Sequence, residues 1–194
     1  MIHEAKDFSH LAGNLDGISD TQLQAHFGLY QGYVKKLNEV EEKLKTADPS
    51  GGNYSFNEFS ELKRRWAVPF NGTYLHQLYF ENLAKDGGSA SDELSKAIIA
   101  SFGSLEKYLA DLRGTASSTP GWVLTAKNKR DGLLHNHIMF EHHIGLPVDQ
   151  EVILALDCWE HAFMVDYSTK KADYLAAFVK NINWKIANER FKIS

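Results

Sequence analysis

The chain's 194 residues, 43% of them hydrophobic and 24% charged, suffice for one globular domain or two small ones with a core that needs no covalent staples. Its 21 basic and 25 acidic side chains give a formal charge of −4 with no basic block, which excludes the clustered Lys and Arg of a nucleic-acid binder. One cysteine, Cys158, excludes a disulfide framework and a thiolate zinc cluster, whereas nine histidines direct attention to metal or proton chemistry.

The first twenty residues hold no continuous apolar run and carry acids early, unlike a secretory or transit peptide, and no later segment approaches the roughly 18 apolar residues of a membrane span. A cytoplasmic protein without membrane contact is expected. A helix should begin near Asp20, itself the candidate cap, with Leu23, His26, Phe27, Tyr30, Tyr33, Val34 and Leu37 at helical spacing, and stop before Asp48-Pro49-Ser50-Gly51-Gly52. A second helical stretch spans about 56–83, where Pro69 and Asn71-Gly72 predict a kink or a division into two helices. Beyond Gly87-Gly88 come two short helices, 91–102 and 104–112, each opened by a serine cap and separated at Gly103.

The period changes after Pro120. Residues 122–127 and 133–140 flank the polar turn Asn128-Lys129-Arg130-Asp131-Gly132 and predict a β-hairpin, and 152–156 form a third short apolar run. Helical patterns resume over 172–179 and 184–191. The fold class is α+β: a helical N-terminal domain over residues 1–84 and a C-terminal α/β domain over 85–194, with a small three-stranded antiparallel sheet and helices around it.

Asp157-Cys158-Trp159-Glu160-His161 places a carboxylate and an imidazole four residues apart, on one face if the segment makes a helical turn. That donor pair suits manganese, iron or zinc, although taken alone a buried Asp–His hydrogen bond is its commoner meaning. His26 and His76 each sit within the apolar stretch of a long helix, where a neutral imidazole is costly unless both nitrogens find partners. Together the four would make a set of three histidines and one carboxylate.

These residues carry a resemblance. DCWEHAFMVDY (157–167), followed by KKADYLAAFV and NINWKIANERF, resembles the C-terminal signature of the iron/manganese superoxide dismutases, and YVKKLN (33–38), FNGTYLHQLYFENL (70–83), AIIASFGSLEKYLADL (97–112) and GWVL (121–124) are similar to other family segments in the same order. The resemblance implies an N-terminal antiparallel helical hairpin and one iron or manganese ion per subunit, held by His26, His76, Asp157 and His161 between the two domains. It implies redox cycling of that ion with superoxide as substrate, and a homodimer, with a tetramer as the alternative, in which Glu160 reaches the partner's ligand histidine. It further implies a gateway role for Tyr33 and an aromatic wall from Trp122 and Trp159.

Several positions depart from the family. The glutamine that tunes the ion's solvent ligand is absent: Gly72 stands at one of its two usual places, and aligning residues 132–136 with the sheet puts His135 at the other, with His137 on the same strand face as its rival. His26 and Tyr33 are separated by six residues where the family has seven; since i+7 lies about 20° from i on a regular helix, an unbulged first helix should hold Tyr33 over the metal. Leu29 or Tyr30 replaces the family's interface histidine, Met164 its partner tyrosine and Phe80 a tryptophan, while Lys171 lies where a basic residue often steers superoxide. No role is assigned to His3, His10, His142 or His143. The expected function is superoxide dismutation; the alternative is a metal-binding or structural family member with little activity, against which the complete ligand set argues.

Overall fold

The computed structural model describes residues 2–193. Helix α1 (Asp20–Thr46) is capped by Ser19, whose hydroxyl accepts from the Gln22 amide at 3.1 Å. The cap thus lies one residue before Asp20, which instead occupies the first turn, where an acid favours the helix dipole. Helix α2 (Glu58–Glu81) is capped by Asn57 and returns antiparallel: His26 near the start of α1 meets His76 near the end of α2, and Trp66 near the start of α2 bonds Glu41 near the end of α1. The break expected in this stretch does not occur, for α2 continues through Pro69 and Gly72. Proline removes one ladder donor there, but packing against α1 over the whole length compensates. At Gly72 the packing is close enough that a Cβ would lie 2.5–2.8 Å from the Tyr33 ring.

Helices α3 (Asp92–Phe102) and α4 (Leu105–Ser117) take their expected caps, Ser91 and Ser104, and part at Gly103, whose φ of +87° is the left-handed conformation glycine adopts without strain. Strands β1 (Trp122–Asn128), β2 (Leu134–Met139) and β3 (Gln150–Asp157) form an antiparallel sheet in the order β2-β1-β3. The central strand pairs Trp122 with Met139 on one side and with Asp157 on the other, while His135 lies opposite Ala126. Helices α5 (Met164–Tyr167), α6 (Lys171–Lys180) and α7 (Trp184–Ile193) complete the chain.

The helical hairpin and the mixed half share one core, in which Phe27, Tyr30 and Phe80 join Trp122, Leu154 and Phe178. Buried Asn82, just past α2, ties the halves: its side-chain oxygen accepts from the Ala155 amide on β3 at 2.9 Å and from Arg190 on α7 at 3.0 Å. No helix among the described residues is long and apolar enough to cross a membrane.

Candidate metal centre

Four side chains converge where the hairpin meets the sheet. His26 comes from the second turn of α1, His76 from the last turns of α2, Asp157 from the end of β3 and His161 from the single 3₁₀ turn Glu160–Ala162 that follows. Asp157 and His161 therefore do not share a helical turn; Trp159, in extended conformation, redirects the chain between them. One donor atom from each residue lies within 4.8 Å of the others. Asp157 Oδ2 is 3.1 Å from His26 Nε2, 3.2 Å from His161 Nε2 and 3.5 Å from His76 Nε2.

Three of the four ligands are fixed from behind. Asp157 Oδ1 accepts from the Trp159 amide at 2.9 Å, leaving Oδ2 for the cluster, and the Tyr174 hydroxyl donates to the Asp157 carbonyl at 2.7 Å. Buried Gln22 on α1 donates to the His161 carbonyl at 2.6 Å and accepts from the Val165 amide at 3.1 Å, so the helix grips the loop that carries the fourth ligand. His76 Nδ1 donates to the Gly72 carbonyl, which leaves its Nε2 as a lone-pair donor.

The electrostatics match a cation. Burial, with His26 as the next cause, pushes the His76 imidazole down to about 3, and burial lowers His26 as well, so both rings are neutral. Burial acting alone would raise the Asp157 carboxyl, but the His161 charge and the hydrogen bonds from His161 and His26 outweigh it and hold Asp157 well below the usual carboxylate range. Two neutral imidazoles and His161 thus face one buried anion. His76 Nε2 is wholly buried without a hydrogen-bond partner, an expense a metal bond removes. The donor set fits a single iron or manganese ion, which binds such nitrogen and oxygen ligands at roughly 2 Å.

The surrounding wall holds one residue that sequence reasoning missed. Trp122 Nε1 donates to His142 Nδ1 at 2.9 Å, and His142 Nε2 lies 2.7 Å from the Tyr33 hydroxyl. An indole N–H only donates, so His142 carries its proton on Nε2 and gives it to Tyr33 Oη. Burial keeps His142 low, in its neutral form. Tyr33 stacks on His76 at 5.3 Å from an α1 that has no bulge, and burial, then Asp157, raise its hydroxyl above the ordinary value. Trp159 stacks on His161, and Phe80 meets His26 edge-on at 4.9 Å.

His135 does not join this group. Its position opposite Ala126 is four residues along the ladder from Trp122, roughly 13 Å at 3.3 Å per residue. It pairs with Asp131 at 2.9 Å beside the hairpin turn, and His137 bonds Gln150 at 3.0 Å. The register sets Trp122 against Met139, the last residue of β2, and His142, three residues on, bonds the indole. The β2–β3 loop is held for that purpose: Asn71 on α2 donates to the His142 carbonyl at 2.5 Å, and Gly145, with φ +125°, has no space for a Cβ against the Ile138 carbonyl. Glu160 is exposed beside His161, and Lys171 donates to the Thr119 carbonyl at 2.5 Å.

A helical hairpin and a three-stranded sheet that bring three imidazoles and a carboxylate to one point fit the class of mononuclear metal oxidoreductases. Residues 90–190, more than half of the chain, match the family model described as iron/manganese superoxide dismutases, C-terminal domain. Over 98% of its length the chain is 36% identical to an iron superoxide dismutase of Aquifex aeolicus, covering 92% of that protein, and 35% identical to one of Cupriavidus metallidurans, covering 97%. It is 31% identical, over 90% of its length, to a manganese superoxide dismutase of Halobacterium salinarum, covering 87% of that protein. The chain belongs to the iron/manganese superoxide dismutase family.

Proposed function

We propose that this chain disproportionates superoxide, one anion being oxidised to dioxygen and a second reduced, with two protons, to hydrogen peroxide. The observation that carries the reading is the convergence of His26, His76, Asp157 and His161 on one point within 4.8 Å. A bound iron or manganese ion supplies the reversible one-electron change. The chain's residues do the rest. Three neutral imidazoles and one carboxylate leave a net positive centre that attracts an anion and tolerates either oxidation state. Trp122 and Phe80 keep water from the buried side, and Trp159 stiffens His161 by stacking.

His142 takes the tuning role that the family gives to glutamine. It orients Tyr33, whose own hydroxyl proton is then free to be held toward the substrate side. Gly72 leaves the room that Tyr33 occupies, so the second possible glutamine position is closed by the tyrosine itself. The division at residues 84 and 85 gives each domain two ligands.

The proposal includes a homodimer. An open hollow of about 790 Å³, lined by Thr119, Trp159, Glu160, His161, Phe163 and Lys171, lies over the outer side of the fourth ligand, whose side chain is 29% exposed. A second copy seated there would shield His161 and bring its Glu160 to it. The test is a dismutase assay on protein reconstituted separately with iron and with manganese, together with its sedimentation mass. Full occupancy without activity on either metal would overturn the enzymatic reading, and a monomer at assay concentration the dimer.

A further inference from the structure

His135 and His137, which the dismutase centre leaves aside, form a second histidine pair on one face of edge strand β2. Their ring centroids lie 5.8 Å apart with planes 29° from parallel. Within the metal cluster His26–His76, His26–His161 and His76–His161 lie 5.0, 5.1 and 5.6 Å apart, and the last pair is inclined by 25°. The outer pair thus reproduces closely the arrangement of two rings that serve one ion.

The tautomer of each neutral ring follows from its partner. His135 Nε2 faces the Asp131 carboxylate at 2.9 Å, and that carboxyl is held below its ordinary value chiefly by the Leu133 amide, so it accepts and the imidazole donates. His137 Nε2 faces Gln150 Oε1 at 3.0 Å. The orientation of this amide is settled because its nitrogen donates to the Val148 carbonyl at 3.1 Å, and the oxygen therefore accepts from His137. In its neutral form each ring therefore carries the proton on Nε2 and leaves Nδ1 as the lone-pair donor. An imidazole whose far nitrogen is tied to a carboxylate or amide oxygen is the usual form of a metal ligand, oriented and made more basic by that bond. The neighbouring cations do not oppose a metal ion, since Lys129 is paired with Glu151 and Arg130 with Asp149.

We propose that His135 and His137, through their Nδ1 atoms and backed by Asp131 and Gln150, form a surface site for a divalent ion of the zinc-to-copper type. Two imidazoles without a directly bound anion favour the later metals of the first row over Mn²⁺ or Fe²⁺. The site therefore does not compete for the ion held at Asp157.

The test uses protein whose dismutase site is filled with manganese, titrated with Zn²⁺ by calorimetry, with manganese content measured before and after. One further zinc per chain should bind with manganese unchanged, and an anomalous-scattering peak should lie between the two rings. His135→Asn and His137→Asn should each weaken that binding at least tenfold. Asp131→Asn, which leaves both ligands in place, should weaken it about 10–100-fold. Zinc uptake unaltered in the His135→Asn/His137→Asn double variant, or no zinc beyond that which displaces manganese, overturns the proposal.

Discussion

The two histidine groups differ in what stands behind them. At the centre, His26, His76 and His161 are drawn from two long helices and a loop, and the lattice of Gln22, Gly72 and Tyr174 around them makes their convergence independent of any one local conformation. At the far end of the sheet, His135 and His137 come from one strand, half-exposed, each with a single oriented partner. The comparison teaches that burial alone does not create the central site. What creates it is a wholly buried carboxylate that rings from separate elements share, and the strand pair lacks such an anion.

The contrast is tested most severely by Asp157→Ala. Removing the only carboxylate should abolish metal retention and dismutase activity and destabilise the loaded protein by about 3–5 kcal/mol, the usual cost of breaking a buried charge pair. Metal content after dialysis and a denaturant midpoint report both effects, and normal metal content would show the imidazoles to be sufficient.

Acid acts on the same centre next most strongly. An unfolded histidine titrates near 6.5 and folded His76 at about 3, so between those values the unfolded chain binds more protons and stability rises with pH. Metal-free protein should therefore lose stability as pH falls from about 6.5 toward 3, by up to about 1.4 kcal/mol per pH unit for one such proton. Asp157, depressed in the fold, adds a loss in the same direction at the acid end. Equal urea midpoints at pH 7.5 and pH 5 would contradict this.

Smaller effects separate the wall from the strand. His142→Ala frees the Tyr33 hydroxyl and the Trp122 indole while leaving every ligand in place, and should lower activity about 10–100-fold with metal retained. His135→Asn, remote from the centre, should leave activity of the loaded enzyme within about twofold and stability within about 0.5 kcal/mol. Steady-state assays of the two variants at matched metal content decide the point; reversed effects would restore His135 to the tuning position.

Much of this arrangement could be read from residue order. Serine caps before α3 and α4, the polar turn 128–132 and the DCWEH segment each announce themselves locally, and the resemblance located all four ligands. The failures share a cause. Pro69 and Gly72 signal a break by local propensity, but the Tyr33 ring packed against Gly72 is a contact between helices that no window along α2 contains. His142 does not announce itself because its partners, Trp122 and Tyr33, are 20 and 109 residues away, and the register that sets Met139 rather than His135 opposite Trp122 is fixed only by the sheet.

The bonds from Trp122 through His142 to Tyr33 also have a direction. Each donor points the same way, and the first, an indole, neither accepts a proton nor gives one up at accessible pH. The chain is therefore closed at its inner end: it aligns dipoles toward the tyrosine but has no reservoir behind it. A proton taken from Tyr33 can be restored only through the hydroxyl's open side, so resupply is the work of solvent at the mouth of the site, and the protein interior behind His142 serves as an anchor.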